Sequence, residues 1–247
     1  MVELQIESHV ATITIDDPQT RNALDTASAL RVAEICDTIQ RNLDVGAVVV
    51  RGANGTFCSG AARDLLKRAG EDPAEPERYE SVGIVYEAFV RIGELPVPTI
   101  AAVRGAAVGA GVNLLLATDL RIIATEARII AGFLRIGIHP GGGHFTLLGR
   151  LAGREAATAI GLFGEEISGS RAQQLQIAWE AVADDEVEPR AFELAERVAA
   201  DPLLARRTVA SLRGELGPPA VSWSAAVAME RAEQMWSLRR RHEASSH

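Results

Sequence analysis

The chain has 247 residues, 47% of them hydrophobic and 23% charged, the balance of an ordinary globular protein with room for a sizeable core. Its formal net charge is −8 with the acidic residues spread out, which argues against a general nucleic-acid binder but leaves room for a local basic patch. Cys36 and Cys58 are its only cysteines, too few for a disulfide framework or a zinc cluster, so no metal is expected. Residues Met1 to Val10 include Glu3 and Glu7 and lack the basic start and apolar run of a signal peptide. No apolar stretch approaches membrane-spanning length without a charge. The expectation is a cytoplasmic protein with neither a membrane nor a nucleic-acid partner.

In chain order, Val2 to Glu7 and Val10 to Asp16 alternate apolar and polar residues around Ser8-His9 and predict a hairpin. Asp25 is a candidate N-cap for a helix whose buried face carries Val32, Ile35, Cys36, Ile39 and Leu43. The run Ala47-Val48-Val49-Val50 predicts a buried strand, followed by a second helix starting near Gly60. Gly70 to Glu77 is acidic, contains proline and has no periodicity, so it is read as a mobile excursion. A helix from about Arg78 to Glu94, a strand at Thr99–Val103, a glycine-rich turn from Gly105 to Gly111, a short helix and a strand at Asp119–Ala124 follow. This alternation continues through Leu151 and favours α/β architecture with crossover connections. Beyond Pro189 the pattern is almost purely helical, at Pro189–Ala200, Pro202–Arg213 and Val221–Arg240, and reads as a packing or oligomerisation element. The division expected is a core of residues 1–190 and a helical region of residues 191–247.

Two segments put small residues where a backbone must approach something closely. Phe57-Cys58-Ser59-Gly60-Ala61 follows a predicted strand and opens a helix, and Gly105-Ala106-Ala107-Val108-Gly109-Ala110-Gly111 does the same. Amides at a helix start lack intrahelical acceptors and lie at the positive end of the dipole. Two such ends facing each other can donate to one oxygen on which negative charge develops. Taken singly, each segment is weak evidence, since glycine at a strand-to-helix turn is more often simple turn chemistry.

Together the two segments resemble the enoyl-CoA hydratase/isomerase (crotonase) superfamily, with the likeness running from about Val2 to Val198. It is carried also by Arg21-Asn22-Ala23-Leu24, by Pro98 to Gly105, by Ile136-Gly137-Ile138-His139-Pro140-Gly141-Gly142-Gly143 and by the loop and helix of Gly164 to Leu175. The resemblance implies a spiral of ββα units with a C-terminal helical oligomerisation region, assembled as a homotrimer or a dimer of trimers. It implies an acyl-CoA substrate, with coenzyme A as part of that substrate and no separate cofactor. The oxyanion donors would be the amides of Ala61 and Ala110. Arg21 and Ala23 would border the adenine and phosphate end of coenzyme A, and Ser59, Gly60, Val108, Gly109 and Pro140 would line the thioester site. Arg63 is a further candidate for a phosphate, with a solvated surface arginine as the plain alternative.

The sequence leaves the family at its acid–base positions. Hydratases of this family place two glutamates beside the acyl β-carbon, as chemistry on two sides of a double bond needs. By the resemblance these fall on Asn113 and Phe133, and the aspartate of some isomerases and dehalogenases falls on Gly141. Asn113 can hydrogen-bond a water or a hydroxyl but cannot take up a proton at neutral pH. Phe133 can only shape or dry the pocket. Ala62, where many members have aspartate, is read as a structural change. Replacement candidates are His139 and His144, since histidine is the side chain type that ordinarily serves as a general base near neutral pH. Their structural alternatives are packing under the turn for His139 and capping the next helix for His144. Tyr86 falls near the place where dehalogenases carry a histidine, and is otherwise a core residue of its helix; Glu87 is expected to face solvent.

Other classes fit poorly. Gly109-Ala110-Gly111 lacks the third small residue of a dinucleotide fingerprint, since Leu114 stands there. Gly141-Gly142-Gly143 lacks the lysine of a P-loop, no Gly-x-Ser-x-Gly elbow is present, and His139 and His144 lack metalloprotease spacing. Three readings stay open: an enoyl-CoA hydratase/isomerase-like lyase, an acyl-CoA hydrolase or isomerase with a substitute base such as His139, and a non-catalytic acyl-CoA binder.

Overall fold

The computed structural model describes residues 1–215 and 223–245. Strands β1 (Val2–Glu7) and β2 (Val10–Ile15) pair antiparallel, with Ser8 and His9 both at positive φ as a two-residue hairpin requires. Helix α1 (Thr26–Arg41) starts from a reciprocal cap: Asp25 accepts from the Ser28 amide, and the Ser28 hydroxyl accepts from the Asp25 amide. Val32, Ile35, Cys36 and Ile39 are buried as expected, whereas Leu43 lies past the helix end and is 72% exposed.

Strand β3 (Ala47–Gly52) is followed by α2 (Arg63–Glu71), which starts later than the expected Gly60. The reason is a bridge: Leu24 donates to the Gly60 carbonyl and accepts from the Ala62 amide, both at 2.8 Å, so this backbone is committed to pairing. Half of the acidic stretch at 70–77 is helix, and residues 72–75 form the turn between two helices. α2 runs to Glu71, and α3 (Pro76–Gly93) opens with proline in its first turn, where the missing N–H costs nothing. The Glu75 carboxylate caps α3 by accepting from the Glu77 and Arg78 amides, and Arg78 pairs with Glu71 at 2.9 Å. Charges that read as disorder are thus engaged in a cap and an ion pair.

Strand β4 (Thr99–Val103) stands where predicted, and the glycine-rich turn contains a further strand, β5 (Ala106–Val108), before α4 (Ala110–Ala117). Then come β6 (Leu120–Ala124), β7 (Arg128–Ile130), a 3-10 turn at Leu134–Ile136 and α5 (His144–Ala157). A π-helical turn at Thr158–Leu162 leads to β8 (Ile167–Ser168), α6 (Gly169–Gln174) and β9 (Glu180–Val182). Helices α7 (Val187–Ala199), α8 (Pro202–Glu215) and α9 (Trp223–Ser245) complete the chain; the expected helix start at Val221 lies outside the described residues.

The larger sheet has the order β1-β2-β3-β4-β6-β9, parallel except for the hairpin, and the smaller one the order β5-β7-β8. The unit β4-β5-α4 sends one strand to each sheet before its helix, and β6-β7 repeats this. The first unit does the same with a single residue, since Cys58 bridges Ala107 of β5. This is the expected spiral of ββα units. Strands β2, β3 and β4 are nearly all buried, which suits parallel strands covered on both faces. Helix α7 lies across β3, β4 and β6 on Val187, Ala191, Ala195 and Ala199, so the division expected after residue 190 falls inside a helix of the core. The Ala stripe allows close approach: a side chain at Gly46 would come within 2.8 Å of the Ala199 Cα.

Arg206 of α8 donates to the carbonyls of Ile39, Asn42 and Val45, tying α8 to the end of α1 and the loop after it. Arg213 forms a fork with Asp119 at 3.0 and 2.6 Å, and Asp119 in turn accepts from the Thr99 amide. Helix α9 packs on α2, α3 and α5 of its own chain. Among the described residues no helix is long and apolar enough to cross a membrane.

Candidate active site

The two glycine turns meet. Cys58 donates to the Ala106 carbonyl at 3.2 Å and accepts from the Val108 amide at 2.9 Å. Gly60 has φ of +97°, and a side chain on it would come within 2.6 Å of the Val108 carbonyl and 3.5 Å of the Ala110 nitrogen. Only glycine lets these backbones touch. Gly109, at φ 52° and ψ −113°, takes a conformation that L side chains avoid and anchors its own amide on Ile130 at 2.9 Å. It thereby aims the start of α4 at residue 60. Ala110 is the first residue of that helix, so its N–H has no intrahelical acceptor. The bridge to Leu24 uses the Gly60 carbonyl and the Ala62 amide, so by the alternation of a strand the Ala61 N–H points away from Leu24. Two amides at adjoining turns can donate to one oxygen.

The other side of the first turn is knotted by Asn22. Its buried side chain donates to the carbonyls of Ala53 and Thr56 at 2.9 and 2.6 Å and accepts from the Asp17 amide at 2.8 Å. The knot holds Arg21 exposed at φ 57°, with its carbonyl accepting from Ser59 at 3.1 Å. The Ser59 hydroxyl is engaged with the Thr20 carbonyl at 2.8 Å, and the Ala23 amide with the Thr20 hydroxyl at 3.1 Å. Arg21, Ala23 and Ser59 therefore share one rim, and exposed Arg63 begins α2 beside it.

Behind the amides lies a closely packed wall. The Phe133 ring stands about 3.8 Å from where a side chain on Gly109 would begin, and it meets the His144 ring edge-on at 5.0 Å. Asn113 is buried one turn after Ala110; its Nδ2 donates to the Gly141 carbonyl at 2.8 Å, and its Oδ1 lies 2.7 Å from His144 Nδ1. The Gly141 carbonyl can only accept, which fixes the orientation of the amide and makes His144 Nδ1 a donor. Burial pushes the His144 imidazole down to about 3, so the ring is neutral, with its Nε2 lone pair unpartnered among the described residues. A side chain at Gly141 would overlap the buried Tyr86 hydroxyl and come within 2.5 Å of Gln234 Oε1. Tyr86 fills the space that a carboxylate at residue 141 would need. Its phenol has no partner among the described residues, and burial followed by the Glu230 charge raises it above the usual range.

His139 is half-buried beside the turn, with Nδ1 2.6 Å from the Pro140 carbonyl, and Glu87 faces solvent as expected. His144 does not cap α5 through its side chain. The cap comes from α9, where Glu230 accepts from the Gly143 and His144 amides at 2.7 and 2.9 Å. Burial raises the Glu230 carboxyl, and those amides oppose the shift.

The sequence and the fold have counterparts among known proteins. The sequence profile of the enoyl-CoA hydratase/isomerase family matches residues 5–239. The chain belongs to the crotonase family. A Mycobacterium tuberculosis protein named "probable enoyl-CoA hydratase" is 41% identical over 201 residues, covering 81% of this chain and 76% of that one. The 1,2-epoxyphenylacetyl-CoA isomerase of Escherichia coli is 32% identical over 200 residues, covering 80% and 75%. The crystal structure of an enoyl-CoA hydratase from Polaromonas sp. JS666 superposes with a TM-score of 0.81 at 25% identity, covering 99% of this chain and 94% of that one.

As a crotonase-family member, the chain brings Ala61, Ala110, Gly60, Gly109, Val108, Asn113, Phe133 and Gly141 into one region, with Tyr86 and Pro140 at its wall. The likeness reaches further than Val198, since the family match continues through most of α9. Sequence reasoning missed Trp223, Glu230 and Gln234. Trp223 Nε1 donates to the Gly142 carbonyl at 3.4 Å and Gln234 Nε2 to that of His139 at 3.2 Å. These pairs span 81 and 95 residues, and no local pattern marks them.

Proposed function

We propose that the chain binds an acyl-coenzyme A thioester with its carbonyl oxygen between the amides of Ala61 and Ala110, and carries out enolate-forming chemistry of the enoyl-CoA hydratase/isomerase type. The observation that carries this reading is the contact of the two turns at Gly60, which leaves 3.5 Å between the virtual side-chain carbon of residue 60 and the Ala110 nitrogen. When a base removes an α-proton, the C–H electrons move into the acyl unit and charge gathers on the thioester oxygen. Two preorganised donors lower the barrier to that step. The rim of Arg21, Ala23 and Ser59, with Arg63 nearby, suits the phosphate and adenine end of coenzyme A. The assembly proposed is a homotrimer or dimer of trimers in the cytoplasm.

Asn113, Phe133 and Gly141 supply no base, so the two-glutamate hydration route is closed to this chain. Asn113 is engaged on both sides and serves the wall rather than a water. The base proposed is His139. It stands beside the glycine turn, with its Nδ1 2.6 Å from the Pro140 carbonyl, and a histidine is the side chain type suited to proton transfer near neutral pH. A non-catalytic acyl-CoA binder is the second reading, favoured by the same three positions.

The test is exchange of the α-protons of butyryl-CoA in deuterated buffer. Ala110→Pro deletes the donor while keeping a residue suited to the first helical position, and should slow exchange on the order of a hundredfold to a thousandfold. His139→Ala should abolish exchange with butyryl-CoA affinity nearly unchanged. Binding without exchange by the wild-type chain leaves the non-catalytic reading; absence of binding rejects both.

A further inference from the structure

We propose that Glu230, on the C-terminal helix, is a positioning residue for the acyl-binding wall, acting through the start of α5 and His144 on the side-chain amide of Asn113. The inference rests on the acyl-CoA reading but concerns residues that reading does not use.

Helix α5 begins after a turn of three glycines and has no capping side chain of its own. Its first amides are orphan donors at the positive end of the dipole. The Glu230 carboxylate takes the amides of Gly143 and His144 from 87 and 86 residues away. Glycines at 141, 142 and 143 leave this turn little stiffness of its own, so an external anchor decides where His144 starts. Trp223 and Gln234 of the same helix hold the neighbouring carbonyls of Gly142 and His139.

From His144 the constraint passes inward. Its imidazole is fully buried, and Nδ1 donates to Asn113 Oδ1 at 2.7 Å. Asn113 Nδ2 then donates to the Gly141 carbonyl at 2.8 Å, returning to the turn that Glu230 holds. Every link is directional and the loop closes, so it admits one arrangement of Asn113. That residue stands one turn along α4 from Ala110, whose amide is the proposed oxyanion donor. A carboxylate is suited to this anchor because one of its oxygens accepts both amides, and its charge matches the helix end. An amide at residue 230 would present one neutral acceptor and a competing N–H₂.

The test uses the full chain labelled with ¹⁵N. The His144 Nδ1–H gives a slowly exchanging imidazole proton, assigned by its loss in His144→Gln. Glu230→Ala should erase or broaden that signal and lower the turnover of α-proton exchange on butyryl-CoA by on the order of tenfold to a hundredfold. Butyryl-CoA affinity should stay within about twofold, a split that general loss of structure would not produce. Glu230→Gln should fall between Ala and wild type. Wild-type His144 signal and turnover in Glu230→Ala would overturn the inference, as would a loss of affinity parallel to the loss of turnover. Should Glu230→Ala fail to fold, the same two readouts in Glu230→Gln decide, with wild-type values overturning it. If the wild-type chain neither binds nor exchanges butyryl-CoA, the functional reading fails, and the His144 signal in the variants alone judges the network.

Discussion

His144 should make the fold acid-sensitive well above the carboxylate range. The imidazole is fully buried, its Nδ1 proton is held by Asn113, and a second proton on Nε2 would be a charge with no partner among the described residues. Burial accordingly holds its pKa at about 3, against the ordinary 6.5. The sign follows from proton counting. Between these values the unfolded chain binds a proton that the folded chain refuses, so stability is full above 6.5 and is lost as pH falls through the window toward 3. Each pH unit below 6.5 removes about 1.4 kcal/mol, so by pH 5 about 2 kcal/mol is gone on this account alone. His144→Gln cannot titrate yet keeps an N–H for Asn113. Urea unfolding of both chains at pH 7 and pH 5 isolates the effect from the carboxylates they share. The wild type should lose about 2 kcal/mol more than the variant over that interval. An equal loss in the two chains would refute the reasoning, as would a wild-type imidazole ¹⁵N spectrum in which His144 titrates near 6.5.

Tyr86→Phe removes a buried hydroxyl without a partner among the described residues and should raise stability by about 1 kcal/mol in the same unfolding assay. Lower stability would mean that the phenol is paired. Gly141→Asp restores a carboxylate where Tyr86 now stands and should destabilise by about 1–3 kcal/mol. Combining it with Tyr86→Ala should recover part of that cost, and strict additivity would show that the two do not share the space. Asn113→Leu leaves His144 Nδ1 and the Gly141 carbonyl without their partner, and should cost about 2 kcal/mol in thermal or urea unfolding. A neutral effect would show that the loop from α4 to α5 contributes little.

Much of this protein was legible along the chain because the signals are local. The hairpin turn at Ser8-His9, the Asp25 cap, the β-branched run at Ala47 to Val50 and the glycines at 60 and 109 each state a backbone requirement within a few residues. The family likeness followed, and with it the proposal for the Ala61 and Ala110 amides, since a backbone N–H is present whatever the side chain. The exposure of Leu43 and the helix ends within residues 70–77 are not legible in the sequence, because periodicity and charge do not reveal where a helix is stopped or capped. Strands β5, β7 and β8, two or three residues each, carry too little pattern to be seen; they exist because neighbouring turns of the spiral pair them. The wall of the site was decided by tertiary structure alone. Tyr86 occupies the space beside Gly141, His144 pairs with Asn113 across 31 residues, and Glu230 caps α5 from the far end of the chain. A hydrogen bond is chosen by which groups meet in space, and for these pairs that is settled only once the spiral has closed.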